Sequence, residues 1–328
     1  MADLTTRYLG LELECPLIVG SSSLTRTVQG IRRCEDAGAG AVVVKSLFEE
    51  QIRMEFGEAA ASLEADAHPE ALQYLQADAA LAYGPRAYLE LLERAARDVR
   101  IPVIASVNCI SPRGWAGFAR QIEAAGARAL ELNIFVLATH PGRTSEEIEW
   151  VYLDTVKTVR AEVKIPVAVK LVPFLTSVPS LAARMVDAGA NGLVLFNRFF
   201  HPDIDVTNLR LAGGLSLSSP DDNLIPLRWI ALLHGRVRAD LCASGGVHDA
   251  AAVVRSILAG ATATQVTSAL YRNGVEYLSV LRDGVASWMD GHGFRTLEAF
   301  RGRLSRSRAP DPTLYERAQY IKAFVDAE

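Results

Sequence analysis

The hydrophobic positions of the chain repeat in one pattern. Four times, a helical stretch ends in Ala-Gly-Ala and runs directly into a short apolar segment whose last residues are polar, at 37–46, 125–133, 188–197 and 259–268. Glycine at such a point supplies the left-handed residue that ends a helix, and the apolar segment behind it is typical of a strand buried on both faces. Each copy therefore predicts a helix followed by a buried strand.

Four further apolar segments alternate with these copies, at 16–21, 101–106, 165–170 and 239–244. The combined order gives eight strands, which begin near residues 16, 41, 101, 129, 165, 191, 239 and 263, with helical stretches between them. Eight alternating strand and helix units in one chain are typical of a closed parallel barrel. We therefore predict an α/β fold of the (β/α)8 TIM barrel type.

Two intervals are longer than a single helix requires, 47–100 after strand 2 and 198–238 after strand 6. Both follow the carboxyl end of a strand, where the active sites of such barrels lie, so we expect insertions that cover a ligand. Near the C-terminus, Leu314, Ala318, Ile321 and Val325 have helical spacing. We predict one barrel domain over residues 1–328, with a helical extension from about residue 290.

The amino-acid composition favours a folded, globular protein and argues against a nucleic-acid-binding or membrane protein. Half of the residues are hydrophobic and 22% are charged, as in a folded protein with a large core. The net charge of -4 offers no attraction for nucleic acid, and no stretch approaches the ~20 apolar residues of a membrane span. Cys15, Cys34, Cys109 and Cys242 form no Cys-x-x-Cys pair, so we expect no metal site. These features predict a cytoplasmic protein that binds neither nucleic acid nor membrane.

Polar residues or glycines end all eight predicted strands, and in this architecture they meet at the mouth of the barrel. The set is neutral to cationic and rich in hydrogen-bond donors. It suits an anionic, planar ligand that carries many heteroatoms. Its members are Ser21, Ser22, Lys45, Ser46, Ser106, Asn108, Asn133, Lys170, Asn197, Ser244, Gly245, Gly246, Thr267 and Ser268.

The ends of strands 7 and 8 carry the most specific feature. Gly245 and Gly246 precede a helix, and Thr267 and Ser268 follow the neighbouring strand. Glycines allow close backbone approach, and free N–H groups at a helix start favour a phosphate at these two loops. The alternative is that the glycine pair only forms a tight turn.

Lysine is rare in this chain, with five lysines among 34 basic residues, yet Lys45 and Lys170 end strands 2 and 5. A chain that otherwise uses arginine has a compact ammonium group at both points, as an anionic ligand would require. The alternative is a structural ion pair in the barrel mouth, such as one between Lys170 and Glu131.

Several of these segments resemble the dihydroorotate dehydrogenase family, particularly its class 1 members. Residues 15–22, 37–46, 131–133 and 169–173 resemble the family's first, second, fourth and fifth strands. Residues 244–247 together with 260–270 resemble its phosphate site for FMN, and these two segments are the specific part. The resemblance covers nearly the whole chain.

The resemblance implies FMN as cofactor and a set of contact residues. Ser21, Ser22, Lys45, Ser46, Asn133, Lys170, Ser244, Gly245, Gly246, Thr267 and Ser268 would contact FMN. Lys170 would stabilise the negative charge of the reduced flavin. The substrate contacts would be Lys45, Asn108, Asn133 and Asn197, and Lys45 would also serve catalysis.

The chain departs from the family at the catalytic base. In the family, a cysteine in the loop after strand 4, or a serine elsewhere, serves as the base, but here Asn133 is followed by residues with no proton acceptor until Thr139 and His140. We predict His140 as the replacement base, because its pKa range suits proton transfer at neutral pH. Cys109, Ser111, Thr176 and Ser177 are alternatives in the loops after strands 3 and 5.

The resemblance also implies a function and partners. It favours an FMN-dependent oxidoreductase that converts dihydroorotate to orotate in pyrimidine biosynthesis, or acts on an altered substrate, and that forms a homodimer. Because the base is replaced, we also consider a flavin-binding electron-transfer subunit without turnover of its own, which would serve an electron-transfer partner. A flavin-free barrel enzyme that acts on a phosphorylated substrate is the third alternative.

Overall fold

The computed structural model describes residues 2–55, 84–109, 116–136, 138–198, 202–212 and 216–316. Eight parallel strands form a closed barrel, since each strand pairs with the next and the eighth pairs with the first. They are β1 (Leu17–Val19), β2 (Ala41–Val43), β3 (Val103–Cys109), β4 (Ala129–Ile134), β5 (Val167–Leu171), β6 (Gly192–Leu195), β7 (Asp240–Ser244) and β8 (Ala263–Val266). The predicted TIM barrel is confirmed, and every strand overlaps its predicted segment.

A long helix follows each strand along the chain and packs outside the barrel. The helices are α1 (Val28–Asp36), α2 (Pro85–Asp98), α3 (Ala116–Ala124), α4 (Ser145–Glu162), α5 (Val178–Asp187), α6 (Leu224–Leu233), α7 (Ala250–Ala259) and α8 (Tyr277–Gly291). In each of the four Ala-Gly-Ala segments the glycine has a positive φ, from +90° at Gly38 to +126° at Gly260. The chain therefore turns from helix to strand within a few residues. None of the helices in the described ranges is both long enough and apolar enough to span a membrane.

An N-terminal hairpin closes the bottom of the barrel, a feature that the sequence analysis did not predict. Its two strands, Thr6–Tyr8 and Leu11–Leu13, pair antiparallel. The backbone N–H of Leu9 donates to Asp240 at the start of β7, over 2.7 Å. Tyr8 is 1% exposed and packs into the barrel interior, which is lined by small side chains and by branched ones such as Ile18 and Ile104. The small ones are Ala41, Ala129, Ala168, Cys242 and Ala263.

Both predicted insertions are present at the carboxyl ends of the strands. After β2, residues Leu47–Phe48 pair with the end of β3, and the short helix Glu49–Glu55 follows. After β6, the hairpin of Asp203–Asp205 and Arg210–Ala212 precedes the 3-10 helix Pro220–Asn223. The described parts of both insertions therefore lie on the face of the barrel where the strand ends meet.

The C-terminal extension packs back onto the helical layer. The N–H of Gly302 donates to the carbonyl of Ile257 in α7, and that of Arg306 donates to Ala231 in α6, both over 2.9 Å. A short helix, Thr313–Glu316, contains Leu314. The predicted helical positions Ala318, Ile321 and Val325 lie outside the described residues, so the extension as a whole remains a prediction.

Replacement of Tyr8 tests the closure of the barrel. Tyr8→Ala should lower the free energy of unfolding by about 3–5 kcal/mol, because the surrounding alanines cannot fill the cavity that remains. Denaturant unfolding followed by circular dichroism measures this change. Glu12→Ala, at an exposed site on the same hairpin, is the control and should shift stability by less than about 0.5 kcal/mol. Equal losses in the two variants would show that Tyr8 does not fill the barrel.

Candidate active site

A cavity of about 330 Å³ opens at the carboxyl ends of the barrel strands. Its volume falls in the range of roughly 300–1,000 Å³ that is typical of ligand pockets. It is lined by every predicted cofactor and substrate contact, namely Ser21, Ser22, Lys45, Ser46, Asn108, Asn133, Lys170, Asn197, Ser244, Gly245, Gly246, Thr267 and Ser268. The structure brings these residues together, and their individual roles remain predictions.

Ser21 after β1, Ser46 after β2 and Ser106 within β3 form a chain of hydrogen bonds. The hydroxyl of Ser46 lies 2.8 Å from that of Ser21 and 2.8 Å from that of Ser106. Ser106 is fixed in turn by Tyr88 of α2, whose hydroxyl donates to the Ser106 carbonyl and accepts from its N–H. These hydrogen bonds link β1, β2 and β3 on one side of the cavity.

Lys170 lies at the floor of the cavity within a polar group that spans the barrel. Its Nζ donates to Oε1 of Gln265 over 2.8 Å and lies 3.9 Å from Oε1 of Glu131. Gln265 Nε2 donates to the other oxygen of Glu131 over 2.5 Å. The ion pair that the sequence analysis gave as an alternative for Lys170 is therefore present, and Lys170 also lines the cavity. Besides the predicted neutral and cationic residues, the cavity wall contains the Glu131 carboxylate, because Glu131 lies on β4 two residues before Asn133 and on the same face.

The two glycines after β7 differ in what prevents a larger residue at each position. Gly245 and Gly246 have φ values of +102° and +67°, where residues with a side chain are strained. A Cβ on Gly246 would overlap the backbone of Asp222 and Asn223, whereas one on Gly245 would be 3.7 Å from the nearest atom. Gly246 is thus needed for the approach of another segment of the chain, which the sequence alone did not reveal.

That segment, residues 216–223, covers the loops after β7 and β8 and is called the covering segment. The N–H of Ser218 donates to Ser268 Oγ over 3.0 Å, and Ser218 Oγ lies 3.1 Å from Nε2 of His248. Burial lowers the pKa of His248, which favours the neutral ring beside the serine hydroxyl. Asn223 Nδ2 donates to the Gly245 carbonyl over 3.1 Å. Part of the second insertion is therefore attached to the predicted phosphate loops.

The lining residues that were not predicted include Phe196, Arg198 and Tyr271. Phe196 and Arg198 flank Asn197, which was predicted from the end of strand 6. Their places beside the same strand end could have identified them. Arg198 is held by Asp222 and Ser216 of the covering segment, at 3.2 Å each. Tyr271 lies three residues after Ser268 in the short helix Ser268–Asn273, and its hydroxyl bonds to Ser23. Helical spacing from Ser268 was the signal for Tyr271.

Several polar atoms of the cavity wall are buried without a hydrogen-bond partner among the described residues. They are Ser22 Oγ, Asn108 Oδ1, Asn133 Oδ1 and Glu131 Oε1. A buried polar group left unpaired costs about 1–3 kcal/mol, so ordered side chains of this kind indicate a ligand that supplies the missing partners. Carboxamide oxygens require a ligand that donates N–H or O–H groups.

The predicted base does not lie with the other site residues. His140 is exposed, and its Nδ1 accepts a hydrogen bond from the N–H of Gly142 over 3.0 Å. Phe135 and Val136, which follow β4, are partly buried and pack against the hydrophobic core. Of the alternatives, Thr176 and Ser177 do not line the cavity, while Ser111 and the side chain of Cys109 lie outside the described residues. The role of His140 remains a prediction.

The cysteines that can be described are structural. Cys15, Cys34 and Cys242 are buried free thiols, and burial raises the pKa of both Cys15 and Cys34 to about 11. Within the described ranges, no three His, Cys, Asp or Glu side chains are grouped as a metal site requires.

Comparison with known proteins shows the relationship of the whole chain. Residues 3–289 match the family model described as dihydroorotate dehydrogenase. A protein of Aeropyrum pernix, provisionally assigned as dihydroorotate dehydrogenase A (fumarate), is 28% identical over 93% of this chain and 98% of its own. The dihydroorotate dehydrogenase B (NAD(+)) catalytic subunits of Methanocella arvoryzae and Pyrococcus furiosus are each 28% identical, over 86% and 89% of this chain and 91% and 96% of their own. The chain therefore belongs to the dihydroorotate dehydrogenase family of flavin-dependent oxidoreductases.

Proposed function

We propose that this protein is an FMN-dependent oxidoreductase that acts on a C–C bond next to a carbonyl group in a small anionic substrate. The observation that carries the proposal is one cavity lined both by the glycine and hydroxyl loops after β7 and β8 and by Lys170. Phosphate-binding loops at these two strands are a recurrent property of the barrel. A lysine on the same wall suits a cofactor that gains negative charge when it is reduced.

The residues of the cavity fit FMN at both ends. At the phosphate end, the Ser268 hydroxyl accepts from the N–H of Ser218, so its own hydrogen remains available to an anion. At the other end, the unpartnered oxygens of Ser22 and Asn133 would find partners in a heterocycle that carries N–H groups. Bound FMN would supply a two-electron acceptor, and Lys170 would stabilise its reduced form.

The substrate would lie beside Lys45, Asn108, Asn133 and Asn197. Lys45 offers a cation to an anionic group, and the unpartnered carboxamide oxygens of Asn108 and Asn133 require hydrogen-bond donors. Dihydroorotate, the substrate named for the relatives, has both features. Among the described residues that line the cavity there is no cysteine or histidine, so removal of a substrate proton depends on His140, on the alternatives Cys109 and Ser111 at and after the end of β3, or on a substrate that needs no such base.

A second candidate function follows from the same absence. A chain that holds a flavin but removes no proton would serve as an electron-transfer subunit for a partner protein. The exposed position of His140 and the core packing of Phe135 and Val136 favour this alternative. Membership of a flavin-dependent family weighs against the flavin-free alternative, and the absorbance spectrum of the purified protein distinguishes the two.

Substitution of Gly246 tests cofactor binding. Gly246→Val should displace the covering segment from the loop after β7 and yield folded protein that has lost most of its FMN, because a side chain would overlap Asp222 and Asn223. The ratio of flavin absorbance to protein measures occupancy. Gly10→Val is the matched control, because Gly10 has a similar φ of +74° and nothing within 4 Å of an added Cβ. Full flavin occupancy in Gly246→Val would contradict the assignment of the phosphate site.

Substitution of Lys170 tests stabilisation of the reduced cofactor. Lys170→Ala should lower the reduction potential of bound FMN, because a fixed positive charge near the site of developing negative charge is removed. Equilibration with reference dyes gives the potential. Lys157→Ala, on the exposed side of α4, is the control. If both variants keep the wild-type potential, Lys170 does not stabilise the reduced flavin, and its role is limited to the ion pair with Glu131.

Mixing with dihydroorotate tests the choice of substrate. Dihydroorotate should reduce the bound FMN slowly or not at all, because Val136 and Ala138 stand where the family has its base and an amide. A positioned base contributes about 10²–10⁴-fold, and each unpaired substrate group costs about 1–3 kcal/mol. Anaerobic stopped-flow absorbance measures the loss of flavin colour. Fast bleaching that is abolished in His140→Ala would instead establish His140 as the base, and fast bleaching in both proteins would place the base elsewhere.

A further inference from the structure

Glu131, Gln265 and Lys170 form a polar layer across the barrel lumen. The three side chains come from β4, β8 and β5, and β8 is not a neighbour of β4 in the sheet. Gln265 reaches across the lumen, with its Oε1 2.8 Å from Lys170 Nζ and its Nε2 2.5 Å from Glu131 Oε2. One amide therefore fixes both charged groups at once. The layer separates the cavity from the apolar interior that contains Tyr8 and Ile18.

Glu131 is the only carboxylate among the described residues that line the cavity. Its side chain is 2% exposed, and no described residue gives its Oε1 a hydrogen bond; the Lys170 ammonium lies 3.9 Å from that oxygen. A buried charge costs several kcal/mol unless an opposite charge and hydrogen bonds compensate for it. Lys170 and Gln265 therefore compensate for the burial of the Glu131 carboxylate, and the same contacts hold the Lys170 ammonium near the barrel axis.

We propose that Glu131, which Gln265 links to Lys170, offsets the charge of the Lys170 ammonium, so that the pair sets the reduction potential of the bound flavin. This inference rests on the proposed function. Coulomb interactions are strong at a site with little solvent. A carboxylate beside the cavity floor disfavours the negative charge that accumulates on reduction, whereas the ammonium favours it. The two side chains therefore act with opposite signs on the same equilibrium.

Because Glu131 and Lys170 have opposite effects on the reduction potential of the flavin, replacing each residue should shift that potential in opposite directions. Glu131→Gln keeps the size of the side chain and its capacity for hydrogen bonds but removes its charge. We expect the variant to favour reduced flavin about tenfold at a fixed ambient potential, a rise of about 30 mV for a two-electron couple. Lys170→Ala should shift the potential the other way. The double variant should lie between the two single variants, close to wild type.

The measurement is the potential of bound FMN by dye equilibration, which does not depend on turnover. Glu12→Gln removes one negative charge from an exposed site on the N-terminal hairpin and should leave the potential unchanged. A purely structural Glu131 would leave the potential of Glu131→Gln at the wild-type value. An unchanged or lower potential in Glu131→Gln would therefore overturn the proposal.

A further comparison covers the outcome in which Glu131→Gln does not retain the flavin. The potential of the double variant is then compared with that of wild type, because the double variant leaves no lone buried charge. It should lie close to the wild-type value, and a potential well below that value would overturn the proposal. Wild-type protein without flavin would overturn the proposed function and this inference together. Flavin-bound protein with equal potentials in all variants would overturn this inference alone.

Discussion

The closure of eight short parallel strands into a ring is the constraint on which the rest of this structure depends. A ring of this size has a narrow lumen that side chains must fill. At the lower end, alanines and Cys242 leave space for Tyr8 from the N-terminal hairpin. At the upper end, Gln265 spans the lumen between two charged residues. The cavity is thus the part of the barrel axis above the polar layer.

This arrangement explains why the described part of the cavity wall is rich in donors yet contains one carboxylate. Parallel register places Asn108, Asn133 and Lys170 at one level, and the carboxamide oxygens of both asparagines have no partner among the residues that the structure describes. The same register places Glu131 two residues below Asn133, on the same face of β4. A residue at that depth faces the lumen, so its charge is retained only because Lys170 and Gln265 compensate for it.

Features that depend on neighbouring residues in the sequence could be predicted, whereas contacts between residues far apart in the sequence could not. The strands were predictable because each apolar run is bounded by a helix-ending glycine or a polar pair, and the strand ends then followed from the topology. The N-terminal hairpin was not predictable, because Tyr8 and Leu9 have no local signal for their contacts with β7 and the barrel interior. Gly246 was assigned to the phosphate loop, but the need for glycine arises from Asp222 and Asn223, which no local pattern connects to it. His140 was selected for its acid–base chemistry, and its exposure depends on the path of the loop after β4.

The glycines between helices and strands have a consequence for how such a protein changes during evolution. At Gly38, Gly126, Gly189 and Gly260 the chain turns within a few residues at the lower face, so an added residue there would shift a strand out of register. The described parts of both long insertions lie at the upper face, after β2 and β6. Added residues at that face can therefore lengthen the loops around the cavity without a change in the register of the barrel strands.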